Sequence, residues 1–276
     1  MEDWAPENTE DNYGLRYSMP GALAHSVNTV SVRMLEKTGI DKTIEVAQRM
    51  GITSKLPHVP ALALGAAEIS MIELVGAYTC FANHGKLVKP YYLTTITSSS
   101  GEVLETFEPV FVEQAISEES ADLMLHMLRR AVDEGTSSRL RTQFELPNDI
   151  AGKTGTTQSN ADGWFVAVTP KLVIGAWVGG DDPRIRFQST ALGQGSRTAL
   201  PIVGEFIARA NRDAGLDSIT QATFPELSFL MKSKINCSLS KKDSRLLRSL
   251  FKKRESERKK EFGKKEKGFF KSVLNN

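Results

Sequence analysis

Between Gly21 and Gly39 the apolar residues Leu23, Val27, Val30 and Met34 recur at spacings of three and four, which predicts one amphipathic helix closed by Gly39. Residues 1–18 before it read as an irregular, polar lead-in. Residues 66–85, AAEISMIELVGAYTCFANHG, are apolar on most faces, so a helix there belongs inside a multi-helix region. The period then changes. KLVKPYYLTTITSSSGEVLETF reads as two strands joined around Ser98–Gly101. Residues 117–134 return to helical spacing and stop at Gly135.

From Asp149 to Gly179 the pattern is the most strand-like of the chain. AGKTGTT, WFVAV and LVIGAWVG are separated by short polar links, which predicts an antiparallel meander of three strands. A last amphipathic helix is expected over 198–212, after which the periodicity decays. Helices, then an antiparallel sheet, then a helix make an α+β architecture. The expected division is a globular part over 1–216 and a basic, flexible extension over 217–276.

Composition adds little to that picture until it is divided along the chain. With 40% apolar and 25% charged residues the sequence is that of a globular protein, which excludes collagenous and disordered classes. The net charge of +2 hides an asymmetry: Ser240–Asn276 holds 14 Lys/Arg against 5 Asp/Glu, and Met1–Leu239 holds 21 against 28. Cys80 and Cys237 are far apart and make neither a disulfide framework nor a zinc site. The four histidines lack ligand spacing, so no metal or other cofactor is expected. No run approaches the length of a membrane span, and MEDWAPENTEDN does not read as a signal peptide.

Two short motifs carry candidate chemistry. Gly152-Lys153-Thr154 suggests a phosphate-binding loop, but that motif needs a glycine where Pro147 stands and must open a helix. Read instead as Lys153-Thr154-Gly155 at a sheet edge, it offers an ammonium for a substrate carboxylate. Gly155 would leave the strand edge clear for an extended peptide, and Thr154 and Thr156 would present hydroxyls on one face. Ser26-Val27-Asn28 is a second, weaker motif, with a hydroxyl for proton transfer and an amide for substrate. An ordinary strand start and an ordinary polar helix start account for either motif taken alone. His25 is open to two readings, a tuner of Ser26 or a plain residue of the helix start. Trp164 and Phe165 follow the strand and either wall a groove or pack in the core.

In their order along the chain these segments resemble the C-terminal part of the transpeptidase domain of class A penicillin-binding proteins. The resemblance includes Trp4-Ala5-Pro6-Glu7-Asn8, ALAHSVNTVSVRMLEKTGI, ALALGAAEISMIELVGAYTCFANHG, the turn Asp133-Glu134-Gly135-Thr136, AGKTGTTQSNADGWFVAVTPKLVIGAWVGGDD and ALPIVGEF. It implies the fold of penicillin-binding proteins and serine β-lactamases, an antiparallel sheet flanked by helices with the KTG strand at an edge. It also implies D,D-transpeptidation, in which a serine is acylated by a D-Ala-D-Ala stem peptide or by a β-lactam and an amine of another stem resolves it. By position, Ser26 would relay protons, Asn28 would hold the substrate amide, and Lys153 would steer the terminal carboxylate and support Ser26. Thr154 and Thr156 would bind that carboxylate, and the Thr156 N–H would serve an oxyanion hole.

The family's S-x-x-K, which carries the nucleophile, is absent from residues 1–25; its three matches, Ser238/Lys241, Ser249/Lys252 and Ser256/Lys259, fall in the lysine-rich tail. The expectation is a fragment, inactive alone, whose missing partners are the upstream transpeptidase and glycosyltransferase segments. A catalytically inactive module that binds stem peptides is the alternative. The full-length family implies the outer, extracytoplasmic face of the cell membrane, although this chain shows no signal or anchor of its own. Phe251, Phe262, Phe269 and Phe270 interleave with the tail's basic residues, so anionic membrane or wall polymers are candidate partners beside a simply solvated tail. Nucleic acid is not expected, because no binding module accompanies the charge.

Overall fold

The computed structural model describes residues 5–8, 13–182 and 184–235. The expected single helix is two: α1 (Met19–Ala24) and α2 (Asn28–Thr38). The break is Ser26, whose φ of 53° is left-handed. Its N–H donates to Leu23 O at 3.1 Å and that of Val27 to Ala22 O at 2.9 Å, so α1 ends in a Schellman turn with serine at the usual glycine position. The turn also resets the helical phase. In α2 Val32 and Leu35 are buried, while Met34 is exposed. Gly39, at φ 90°, closes α2 as expected and leads into α3 (Ile40–Arg49).

After a 3-10 turn at Pro60–Leu64 comes α4 (Met71–Ala82), which starts five residues later than its apolar run. Ser70 sets the start through a capping box: its Oγ accepts the Glu73 N–H at 3.3 Å, and Glu73 Oε2 accepts the Ser70 N–H at 3.2 Å. The remaining carboxylate oxygen accepts the N–H groups of Thr53 and Ser54, both at 2.8 Å, tying the preceding loop to the same helix. Hydrogen bonds from Ser54, Thr53 and Ser70 hold the Glu73 carboxyl well below the usual carboxylate range.

Strands β1 (Lys86–Val88), β2 (Thr95–Thr97), β3 (Val103–Thr106) and β4 (Phe111–Gln114) make two small antiparallel sheets. β2 and β3 form the expected hairpin, whereas β1 reaches past it to pair with β4. Helix α5 (Glu118–Asp133) is capped by Ser117, whose Oγ accepts the Ser120 N–H at 3.2 Å, and is followed by the short α6 (Arg139–Thr142). The meander is present as β5 (Ala151–Thr156), β6 (Asp162–Val168) and β7 (Val173–Gly179), in that spatial order. Then come α7 (Thr190–Gly193), α8 (Ala199–Ala210), α9 (Asp217–Thr220) and α10 (Phe229–Ile235).

Side-chain alternation along β6 places the layers. Phe165 and Ala167 face one way and join Leu200, Val203 and Ile207 of α8 with Leu140, Leu146 and Ile150. Val168 faces the other way, with Leu125 and Leu128 of α5 and with Tyr78 and Phe81 of α4. The sheet is therefore covered by helices on both faces, the α+β arrangement expected. Cys80 is buried beside Leu87 and Ala115, and burial pushes its thiol up to about 11.

The described chain carries on past residue 216 to Ile235. Phe224 packs beside the α5 cluster and donates its N–H to Asp149 Oδ2 at 2.9 Å, and Arg129 pairs with Asp149 at 2.8 Å while lying over the Phe224 ring. Residues 236–276, with the basic tail, its candidate partners and the S-x-x-K matches, lie outside the described residues. Among the described residues no helix is long and apolar enough to cross a membrane.

This layering makes Phe165, fully buried, far more costly to truncate than an apolar residue on the outside of α8. Phe165→Ala should lower unfolding free energy by about 3–5 kcal/mol. Ile202→Ala, at a side chain 54% exposed, should stay within about 0.5 kcal/mol. Equal shifts in urea midpoint for the two variants would refute the burial of β6 on both faces.

Candidate active site

Strand β5 is an edge strand of its sheet, and it brings Lys153 to the turn that separates α1 from α2. The Lys153 ammonium donates to Ser26 Oγ at 2.9 Å and to the carbonyl of Thr154 at 2.8 Å. A straight helix through residue 26 would have no left-handed turn to hold this hydroxyl; the α1 Schellman turn holds it where the ammonium reaches it. Non-glycine residues in the left-handed region cost of order 1–2 kcal/mol, and such strain collects at functional sites. Burial pulls the Lys153 pKa down from 10.5 to about 8. No carboxylate pairs with this ammonium among the described residues, so two neutral acceptors, the Ser26 hydroxyl and the Thr154 carbonyl, stand in for its lost hydration without an opposing charge. An amine with a pKa near 8 can give and take protons close to neutral pH.

A third segment braces this pair. The loop between α5 and α6 passes so close to α1 that a methyl group on Gly135 would lie 2.3 Å from the Ala24 carbonyl oxygen. The next residue, Thr136, donates its N–H to that same oxygen at 3.0 Å, two residues before Ser26. Its hydroxyl accepts a hydrogen bond from Thr154 Oγ1 at 2.8 Å. On the far side of Gly155, the hydroxyl of Thr156 accepts the backbone N–H of Gly195 at 3.1 Å. Gly195 is pressed against the strand: a methyl group there would meet the carbonyl oxygens of Gly155 and Trp164 at 2.3 and 2.4 Å.

The structure thus gathers Ser26, Lys153 and Thr154 into one hydrogen-bonded group and sets Thr156 two residues along the same strand. It takes Asn28 elsewhere. The Asn28 amide stands on the first residue of α2 and donates to the carbonyl of Glu7 at 2.7 Å, while Asn8 Oδ1 accepts the Thr29 N–H at 3.1 Å. The polar lead-in therefore caps α2 and occupies the amide. Gly155 has a packing reason of its own, since its missing methyl would come within 3.1 Å of Trp164 Cβ. Phe165 belongs to the core, Trp164 leans toward Trp177 at 6.4 Å between ring centroids, and His25 caps α1 with its side chain exposed. Thr136 and Gly195 are the participants that motif spacing does not mark. The Asp133-Glu134-Gly135-Thr136 turn signalled the loop, but not the hydroxyl contact across to β5.

Residues 1–178 match the family model of the penicillin binding protein transpeptidase domain. The chain belongs to that family. Penicillin-binding protein 1A of Aquifex aeolicus is 40% identical over 208 residues, which is 73% of this chain and 27% of that protein. The Neisseria flavescens protein of the same name is 33% identical over 212 residues, 75% of this chain and 26% of its own. The chain therefore spans about a quarter of the length of these curated relatives. Among solved structures, penicillin-binding protein 1A from Haemophilus influenzae superimposes with a TM-score of 0.70 at 26% identity, covering 82% of this chain and 38% of that one. PonA1 of Mycobacterium tuberculosis, solved in complex with penicillin V, gives 0.59 at 24% identity over 76% of this chain and 59% of its own, and so bears on the fold. The transpeptidase fold is shared, with the KTG motif on an edge strand.

The lowered lysine pKa has a measurable sign. Between pH 8 and 10.5 the unfolded chain binds a proton at Lys153 that the folded chain has released, so stability contributed by this residue rises with pH across that window. Wild type should gain on Lys153→Met as the pH is raised from 7 to 10.5 in urea unfolding. A difference between the two that ignores pH would mean that the ammonium keeps its full hydration.

Proposed function

We propose that these residues are the proton-relay and carboxylate-holding half of a peptidoglycan D,D-transpeptidase site. The observation that carries this reading is the 2.9 Å bond between Lys153 and Ser26, made by an ammonium whose pKa is lowered to about 8. The substrate class is a stem peptide ending in D-Ala-D-Ala, and β-lactams are its competitors for the same groove. A serine brought to this half-site by another segment attacks the carbonyl between the two D-Ala residues. The terminal D-Ala must then leave as a neutral amine, which requires a proton. Ser26 stands where its hydroxyl can hand that proton over, and the Lys153 ammonium replenishes it. Lys153 also attracts the terminal carboxylate, Thr154 and Thr156 form the hydroxyl side of its cradle, and the Thr156 N–H stabilises the oxyanion. Asn28 would have to exchange the Glu7 carbonyl for a substrate amide. No step calls on a metal or an organic cofactor. The site would work at the outer face of the cell membrane, as part of a polypeptide or complex that also carries the acylated serine and a glycosyltransferase.

Fluorescent penicillin, applied to membranes of cells making this sequence from its own locus, tests the reading once the polypeptide is recovered with an antibody against residues 136–157. A labelled band is expected, and Lys153→Ala in the same locus should reduce labelling at least a hundredfold, since both proton relay and carboxylate attraction are lost. An unlabelled wild-type band would sink the transpeptidase reading.

A further inference from the structure

Helix α2 begins without a cap of its own. Its N-cap residue is Val27, whose side chain can accept nothing, so the Thr29 N–H in the first turn has no local partner. The partner comes from 21 residues upstream: Asn8 Oδ1 accepts the Thr29 N–H at 3.1 Å and the Thr29 hydroxyl at 3.2 Å. The adjoining Glu7 carbonyl accepts the Asn28 amide at 2.7 Å, so two consecutive residues of the lead-in hold the first two residues of the helix. Asn8 is itself tied back, its backbone N–H donating to the Tyr13 hydroxyl at 3.2 Å.

The helices on either side of Ser26 are thus anchored by different parts of the chain. The end of α1 is fixed by the α5–α6 loop, where Thr136 donates its N–H to Ala24 O at 3.0 Å. Among the described residues, the side-chain hydrogen bonds that reach the first turn of α2 from outside the helix and its cap come from Glu7 and Asn8. Between the two anchors lie His25, Ser26 and Val27, and Ser26 carries the left-handed φ of 53°. A residue stays in so sparsely populated a conformation only where its surroundings over-determine it. With α1 fixed, an α2 free to swing at its start would let Ser26 relax and carry its hydroxyl away from the Lys153 ammonium, now 2.9 Å away.

We propose that Asn8 is a positioning residue for the proton relay: by capping α2 from a distance, it holds the Ser26 turn in its left-handed form and the Ser26 hydroxyl on Lys153. The proposal rests on the relay proposed above and adds to it a residue outside both S-x-N and KTG.

The test is an NMR pH titration of the Lys153 side chain in the full 276-residue chain, its signal identified by its loss in Lys153→Arg. Asn8→Ala should raise the midpoint by about one pH unit or more above wild type, because a relaxed Ser26 turn admits water to the ammonium. Asn8→Asp, an equally good cap acceptor, should return it to the wild-type value in 1 M salt, where the added charge is screened beyond about 3 Å. Equal midpoints in wild type and Asn8→Ala overturn the proposal, even where the urea midpoint of the variant falls, since a cap that serves stability alone would give that pair of results. A raised midpoint that Asn8→Asp does not restore overturns it as well. In cells, fluorescent penicillin labelling of Asn8→Ala should fall at least about tenfold with the relay disturbed and recover in Asn8→Asp; undiminished labelling of Asn8→Ala overturns the proposal. If wild type takes no label, the transpeptidase reading fails, while the Lys153 titration still decides whether Asn8 positions Ser26.

Discussion

Phe165 and Ala167 press on α8 while Val168, along the same strand, presses on α4 and α5, so β6 has almost no face left for water. A strand buried on both sides must satisfy its backbone through its neighbours, and β5 and β7 do this in register along nearly its whole length. That requirement fixes where β5 can lie. Once β5 is held against β6, Lys153 has one place to be, and the helices that cover the sheet bring Ser26 to it. The chemistry of the site is thus set by the packing of a strand that contributes no catalytic group.

Around that frame the site departs from local rules that the helix starts keep. Ser117 and Ser70 cap their helices with side-chain oxygens on backbone N–H groups, the pattern that peptide physics favours. Ser26 instead occupies a left-handed position that glycine would fill more cheaply, and Lys153 loses water without gaining a counter-ion among the described residues. Neither helps the protein fold. Both make sense for a hydroxyl and an amine that must exchange a proton, which a fully hydrated pair far apart in pKa would do poorly. Glu73 shows the opposite economy: it is held ionised by hydrogen bonds from Ser54, Thr53 and Ser70, which tie a loop to the start of α4.

What the amino-acid pattern revealed follows from the range over which each signal acts. Strands β5, β6 and β7, helix α5 and the β2–β3 hairpin were legible because each is encoded by adjacent residues and short turns. The division of residues 19–38 into two helices was not, since hydrophobic spacing is blind to the sign of φ at a serine. The late start of α4 was legible in principle, as Ser70 and Glu73 have capping-box spacing, but the apolar run beginning at Ala66 outweighed it. The pairing of β1 with β4 across an intervening hairpin carries no local mark. In the site, Lys153 and Ser26 were found through motif order. The capture of Asn28 by Glu7 and the bond from Thr154 to Thr136 depend on loops whose approach only the folded chain reveals.

The bond from Lys153 to Ser26 spans 127 positions of sequence. Contacts between such distant residues pay their loop-closure entropy before they return any energy, so they tend to complete late in folding. During synthesis α1 and its strained turn leave the ribosome long before β5 exists to receive them. At roughly 5–20 residues per second, many seconds pass in which the Ser26 turn has no partner. The half-site is therefore a property of the finished chain. Its proton-transfer pair needs β5 in place, and a polypeptide stopped short of β5 would carry the serine without Lys153 to answer it.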